Sequence, residues 1–155
     1  MVLDDMNARD QFLFHLDWLL SLEARYHHIL QSGLVHVALN PADVHGLTYD
    51  AGDAAHKLGE VMTCLQQAFR STDLVMREGM SFWILTPFTQ LDPVVEKVKT
   101  VISTAPKNGL EIAQSNVKIY LLRDHMSETA AESKSAEAFL DYLRSNPAPI
   151  AHKPV

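Results

Sequence analysis

The stretch RSTDLVMREGMSFWILTP, residues 70–87, holds the side chains of this chain best placed for polar chemistry. Arg70 and Asp73 set a guanidinium one helical turn from a carboxylate, and Glu78, Gly79, Met80, Ser81 and Phe82 form a short tip between two apolar runs. A cation at a helix end and an aspartate opening a strand are also what capping and turn formation prefer, so the pair has a structural reading beside any chemical one. Ser81 lacks the GxSxG setting of a hydrolase nucleophile. The eight histidines offer no metal set, because His27 and His28 are adjacent on a helix and point apart, and neither an HExxH pair nor a Cys/His cluster occurs. The lone Cys64 can form no internal disulfide; it falls on the apolar side of a predicted helix and reads as a buried structural thiol. Phe82 and Trp83 alternate across a strand and read as core packing rather than as a base-stacking platform.

These residues must be positioned by one domain. A chain of 155 residues, 47% hydrophobic and 21% charged, is long enough for a single domain with its own core. The domain is assigned to residues 1–146 and a disordered tail to the proline-rich residues 147–155. A formal net charge of -6 supplies no basic stripe for a phosphate backbone, which argues against nucleic acid as a partner. No apolar run approaches the roughly 18 residues of a membrane span, and Asp4 and Asp5 stand where a signal peptide would be cationic. The expected location is the cytoplasm, without membrane insertion.

Periodicity orders the elements. Phe12, Leu16, Leu19, Leu20, Leu22, Tyr26 and Leu30 recur at helical spacing over residues 8–31. Gly33 stops that helix, LVHVALN reads as a buried strand, and PADVHGLTYDAG as a loop. Leu58, Val61, Met62, Leu65 and Phe69 mark a second helix from Asp53 to about Arg70. DLVMR and SFWILTP are separated too closely for anything but a hairpin. Val94, Val95, Val98, Val101 and Ile102 mark a third helix, with Lys97 and Lys99 opposite. LEIA and NVKIYLL read as a second strand pair, and AEAFLDYLRS as a closing helix. The order suits an α+β fold, an antiparallel or mixed central sheet flanked by helices.

Several short marks, in order and at matching separations, resemble the GGDEF domain, the catalytic unit of diguanylate cyclases. VLDDMNARDQF resembles the family's opening DPLTGLxNRRxF, with Leu3, Met6, Arg9 and Phe12 in place. AGD at 51–53 resembles the end of GHxxGD, RSTDLVMR is similar to RxxDxxxR, NVKIYLL sits where the family has its SIGVA strand, and AEAFLDYLRSN resembles ADxALYxAKxxGRN. The resemblance covers nearly the whole chain and implies a nucleotide-cyclase-like sheet with a ferredoxin-like core.

In the active family, tip glycines admit the nucleotide, and the acid after them works with an aspartate of the first strand to hold two magnesium ions. Here the signature Glu78, Gly79, Met80, Ser81, Phe82 keeps one glycine, sets Met80 and Ser81 in the acidic places and is one residue short. The first strand gives HVALNPADVHG for DxDxFKxxND, so the metal aspartate corresponds to His36 or Ala38, and the base-recognising Asn and Asp fall near Val44 and His45, with Asp43 able to take one of these places across a gap. The resemblance thus implies a domain with no catalytic residues, metal or cofactor, serving as a protein-interaction or regulatory module in bacterial cyclic di-GMP signalling. Its expected partner is a protein. The alternative it implies is a cyclic di-GMP receptor: Arg70 and Asp73 reproduce the RxxD inhibitory motif, with Lys97 or Lys99 where the family has an auxiliary arginine. Such a site requires both Arg70 and Asp73 to be solvent-accessible. A reused catalytic surface requires Gly79 exposed at the tip and Met80 at or near the surface.

Overall fold

Leu34, Val35, Val37, Phe82, Trp83, Ile84 and Leu85 are all buried, consecutive residues included, which only strands covered on both faces can achieve. The structure, a computed structural model, describes residues 5–26, 31–38, 51–104, 117–122 and 135–145. Its elements are α1 (Asp5–Arg25), β1 (Gly33–Ala38), α2 (Ala51–Ala68), β2 (Leu74–Glu78), β3 (Ser81–Thr86), α3 (Leu91–Thr104), β4 (Val117–Leu121) and α4 (Ala136–Ser145).

The described strands form a four-stranded sheet in the order β2-β3-β1-β4, with every neighbouring pair antiparallel. Two crossovers interleave to produce this order: β1 reaches β2 through α2, leaving a gap that β3 fills, and β3 reaches β4 through α3 around β1. That is the split β-α-β pattern of a ferredoxin-like core. Alternation along β1 and β3 divides their side chains between two cores. Val35, Val37, Phe82 and Ile84 pack with Leu58, Val61 and Leu65 of α2 and Val94, Val98 and Val101 of α3. Leu34, Trp83 and Leu85 pack with Phe12, Leu16 and Leu19 of α1 and Phe139, Leu140 and Leu143 of α4. Each such side chain contributes about 1.5–3 kcal/mol by leaving water.

Gly33 lies where the two central strands begin to pair, opposite Thr86. A Cβ there would sit 2.6 Å from the Thr86 hydroxyl, so the close approach needs a residue without a side chain.

The helices and the first hairpin follow the sequence pattern, with differences at particular residues. α1 ends at Arg25, and Tyr26 is exposed rather than part of the apolar face. α2 ends at Ala68, so Arg70 lies in the turn beyond it. Cys64 is half-buried against the core rather than fully enclosed, and burial raises its thiol pKa. Phe82 and Trp83 are both fully buried, on opposite faces. Within NVKIYLL, Val117–Leu121 form β4, whose described partner is β1; LEIA, Leu30 and residues 39–50 and 147–155 lie outside the described residues.

α1 carries aromatic side chains on both its faces. Phe12 is buried, whereas Phe14, two residues on, is 70% exposed. Phe12→Ala is expected to cost about 3–5 kcal/mol, by lost transfer and the cavity left behind. Phe14→Ala should stay within about 0.5 kcal/mol. Urea unfolding of the two variants, with unchanged denaturant slope, checks this contrast.

Candidate functional site

Glu78 and Ser81 pair across β2 and β3, which leaves Gly79 and Met80 as a two-residue hairpin turn. Gly79 takes φ +62 and Met80 does not share a positive φ, the sign pattern of a type II′ turn, which calls for glycine at its first position. The Ser81 hydroxyl donates to the Glu78 carbonyl at 2.9 Å and closes the turn. Gly79 is exposed. Met80 is half-buried against the α2–α3 core, so it is at the surface on one side only.

Beneath this tip, on the α1–α4 face, the strands bring together residues far apart in sequence. Ala38 faces Ser81 and His36 faces Trp83 across β1 and β3, while Lys118 of β4 flanks His36 on the other side. The His36 ring stacks on Trp83 with centroids 4.1 Å apart. Arg144 of α4 lies over the same indole at 5.9 Å, and its Nη2 is 2.7 Å from each carboxylate oxygen of Glu78. Arg144 also binds Asp141.

This arrangement fixes the charge state of the histidine. Burial, then Lys118, then Arg144 push the His36 pKa down from 6.5 to about 4, with Glu78 opposing them. His36 is therefore a neutral imidazole in a positive local field. Among the described residues the carboxylates at this end are Glu78 and Asp141, both held by Arg144, and Ala38, Ser81 and Met80 carry no charge. Magnesium asks for several hard oxygen ligands, and the described donor set does not fit it. Among the described residues no three His, Cys, Asp or Glu side chains gather as metal ligands.

Arg70 and Asp73 do come together, at the other end of β2. The Arg70 N–H donates to Asp73 Oδ2 at 2.9 Å, its guanidinium reaches Oδ1 at 3.4 Å, and Lys97 Nζ lies 3.6 Å from Oδ2. The Arg70 side chain is 48% exposed, but that of Asp73 is 1% exposed, so Asp73 does not meet the accessibility a ligand site requires. The guanidinium also donates to the Pro87 carbonyl at 3.2 Å and to the Thr89 hydroxyl. Lys97 supplies the expected second cation, whereas Lys99 points elsewhere and pairs with Glu96. Beside Arg70 an open cleft of about 450 Å³ runs between Gln11 of α1, Gln66 of α2 and the outer edge of β2 at Val75.

Sequence reasoning missed Arg144 and Lys118 at the first place and the Pro87–Thr89 turn at the second. Arg144 and Glu78 are 66 residues apart, and no local spacing connects them. Phe88 has φ 52, a conformation rare for an aromatic residue, and nothing in LTPFTQ calls for it.

No family model matches the sequence, and no curated protein matches it. Solved structures do. Two structures of the GGDEF domain of YfiN, also called TpbB, from Pseudomonas aeruginosa, one of a delta-N mutant and one a crystal structure of the domain, match with a TM-score of 0.57 at 18% identity, over 91% of this chain and 85% and 91% of theirs. The diguanylate cyclase SiaD of the same organism, in complex with its activator SiaC, matches with a TM-score of 0.55 at 21% identity, over 88% of this chain and 55% of that one. An antiparallel sheet with α2 and α3 on one face and α1 and α4 on the other, matched over nine-tenths of its length by these structures, gives this chain the fold of the GGDEF domain.

Proposed function

We propose that this chain is a catalytically inactive GGDEF domain that works in the cytoplasm as a protein-interaction or regulatory module in cyclic di-GMP signalling. The observation that carries the reading is the environment of His36. The resemblance sets the metal-holding aspartate at His36 or Ala38: His36 is a neutral imidazole stacked on Trp83, between Lys118 and Arg144, and Ala38 carries no charge. Burial first, and then the two neighbouring cations, hold the imidazole neutral, and both also oppose a divalent cation. The tip adds a second, separate loss, with Met80 and Ser81 where the resemblance asks for acids. SiaD, a neighbour in fold, is a diguanylate cyclase in complex with an activator protein, which supports a protein as the class of partner.

A second reading, a cyclic di-GMP receptor, draws on the cleft beside Arg70, where a half-exposed guanidinium and Lys97 stand together. Against it, the Asp73 carboxylate that would accept from guanine is already occupied by the Arg70 N–H, its guanidinium and Lys97. The pair acts mainly as a clamp on its own turn.

With GTP and magnesium the purified protein is expected to form no cyclic di-GMP above a no-enzyme control, and product above that control overturns the reading. Met80→Asp with Ser81→Glu should not restore activity, since β1 still lacks its carboxylate. Calorimetric titration with cyclic di-GMP should show no binding, or weak binding that Arg70→Ala abolishes. As a structural clamp, Asp73 should matter without ligand: Asp73→Ala is expected to cost about 1–3 kcal/mol in urea unfolding, because the turn donors lose their acceptor.

His36 gives a pH signature. The folded imidazole stays neutral to about pH 4, while the unfolded one protonates near 6.5. Its contribution is therefore intact above pH 6.5 and is lost as the pH falls from there through 4. Between pH 7 and 5 the protein should lose about 1–2 kcal/mol through this group, allowing for its partial exposure. His36→Gln should remove that part of the pH dependence, as read from denaturant midpoints at the two pH values.

A further inference from the structure

The outward face of α1 carries two aromatic side chains that the domain's own core does not use. Phe14 is 70% exposed and Trp18 50% exposed, one turn apart. Phe88, 51% exposed, meets the Trp18 ring edge-on with centroids 6.3 Å apart. Its display is built in. The left-handed backbone at Phe88 is costly for an aromatic residue, and it is held by the Ser32 hydroxyl, which accepts from the Phe88 N–H at 3.1 Å, and by Arg70 on the Pro87 carbonyl. Exposed apolar surface of this kind marks contact with another macromolecule.

Charge identifies which one. At about 100° per residue, Asp10, Phe14, Trp18, Ser21 and Arg25 share one sector of about 80° on α1. Asp10 and Arg25 end that stripe with opposite signs, both are exposed, and neither has an ion-pair partner among the described residues. A uniformly acidic or basic partner would satisfy only one end. An identical helix running antiparallel satisfies both. A two-fold axis between positions 17 and 18 sets each Asp10 against the other Arg25 and each Phe14 against the small Ser21, with the two Trp18 rings side by side at the centre.

We propose that this face of α1 pairs antiparallel with α1 of a second copy of the chain, forming an isologous dimer centred on Trp18 and flanked by Phe88. The contact is narrow, so the dimer is reversible, with a dissociation constant on the order of 10–100 μM. The proposal stands apart from the catalytic reading, since a cyclase assay leaves it untouched.

Sedimentation equilibrium of the full chain from about 5 to 500 μM tests it. The unmodified protein should dimerise. Asp10→Arg alone and Arg25→Glu alone should each weaken self-association about tenfold or more, because each sets like charges opposite one another. An equimolar mixture of the two variants should recover association to within about threefold of the unmodified protein, because the heterodimer restores both pairs. Phe14→Ala with Trp18→Ala should abolish it, with the thermal unfolding midpoint confirming an intact fold. A monomer throughout the range, a mixture no tighter than its components, or a dimer that survives loss of both aromatics overturns the proposal.

Discussion

Burial of β1 and β3 on both faces is the constraint from which the rest of the molecule follows. A strand covered on one side only could leave alternate residues to solvent. These two strands cannot, so each needs helices on either side. α2 and α3 are the crossovers that the strand order itself requires, and they cover one face. The second face has no crossover to cover it, and α1 and α4 must close it from outside the ferredoxin-like core. α4 is docked there by polar contacts as well as apolar ones: its Ala136 N–H donates to Asp17 of α1 at one end, and Arg144 grips Glu78 at the other. The same packing carries Arg144 to the base of the hairpin.

The two candidate sites thus have different physical origins. At the hairpin the side chains form a stack of imidazole, indole and guanidinium, sealed by an ion pair, in a place where the fold offers open backbone and two strand ends. The Trp83 indole N–H has no acceptor among the described residues, and nothing in the structure explains it. At the α2–β2 turn, a buried carboxylate gathers three donors and so joins the end of α2 to the start of α3 through Arg70 and Thr89. A buried aspartate is tolerable only when its lone pairs are filled this way. Filling them leaves Asp73 little capacity for any other partner.

Much of this was legible in the sequence because it is local. Apolar residues three and four apart gave α2 and α3 nearly to the residue, and two apolar runs around Glu78 to Ser81 could only be a hairpin. The resemblance to GGDEF domains rested on short marks whose order reflects the order of elements. Long-range relations were hidden. Nothing in HVALN shows that His36 will meet Trp83 and Arg144, nor does RSTD show that Asp73 will be buried, since both depend on which helix lies over which face. The outward placement of Phe14 and Trp18 emerges only once Phe12, Leu16 and Leu19 have claimed the core.

The two-residue turn at Gly79 and Met80 bears on the order in which the chain folds. β1 finds both its neighbours far along the chain, β3 beyond α2 and β4 beyond α3, and pairings of that kind are slow because long loops must close first. β2 and β3 are the exception, adjacent in sequence and joined by a tight turn with glycine where positive φ is needed. Hairpins of this sort form in about 1–10 μs, ahead of the distant pairings. The tip is thus the natural starting point for assembly, presenting the free edge of β3, with Phe82 and Trp83 on its two faces, as a template along which β1 can pair.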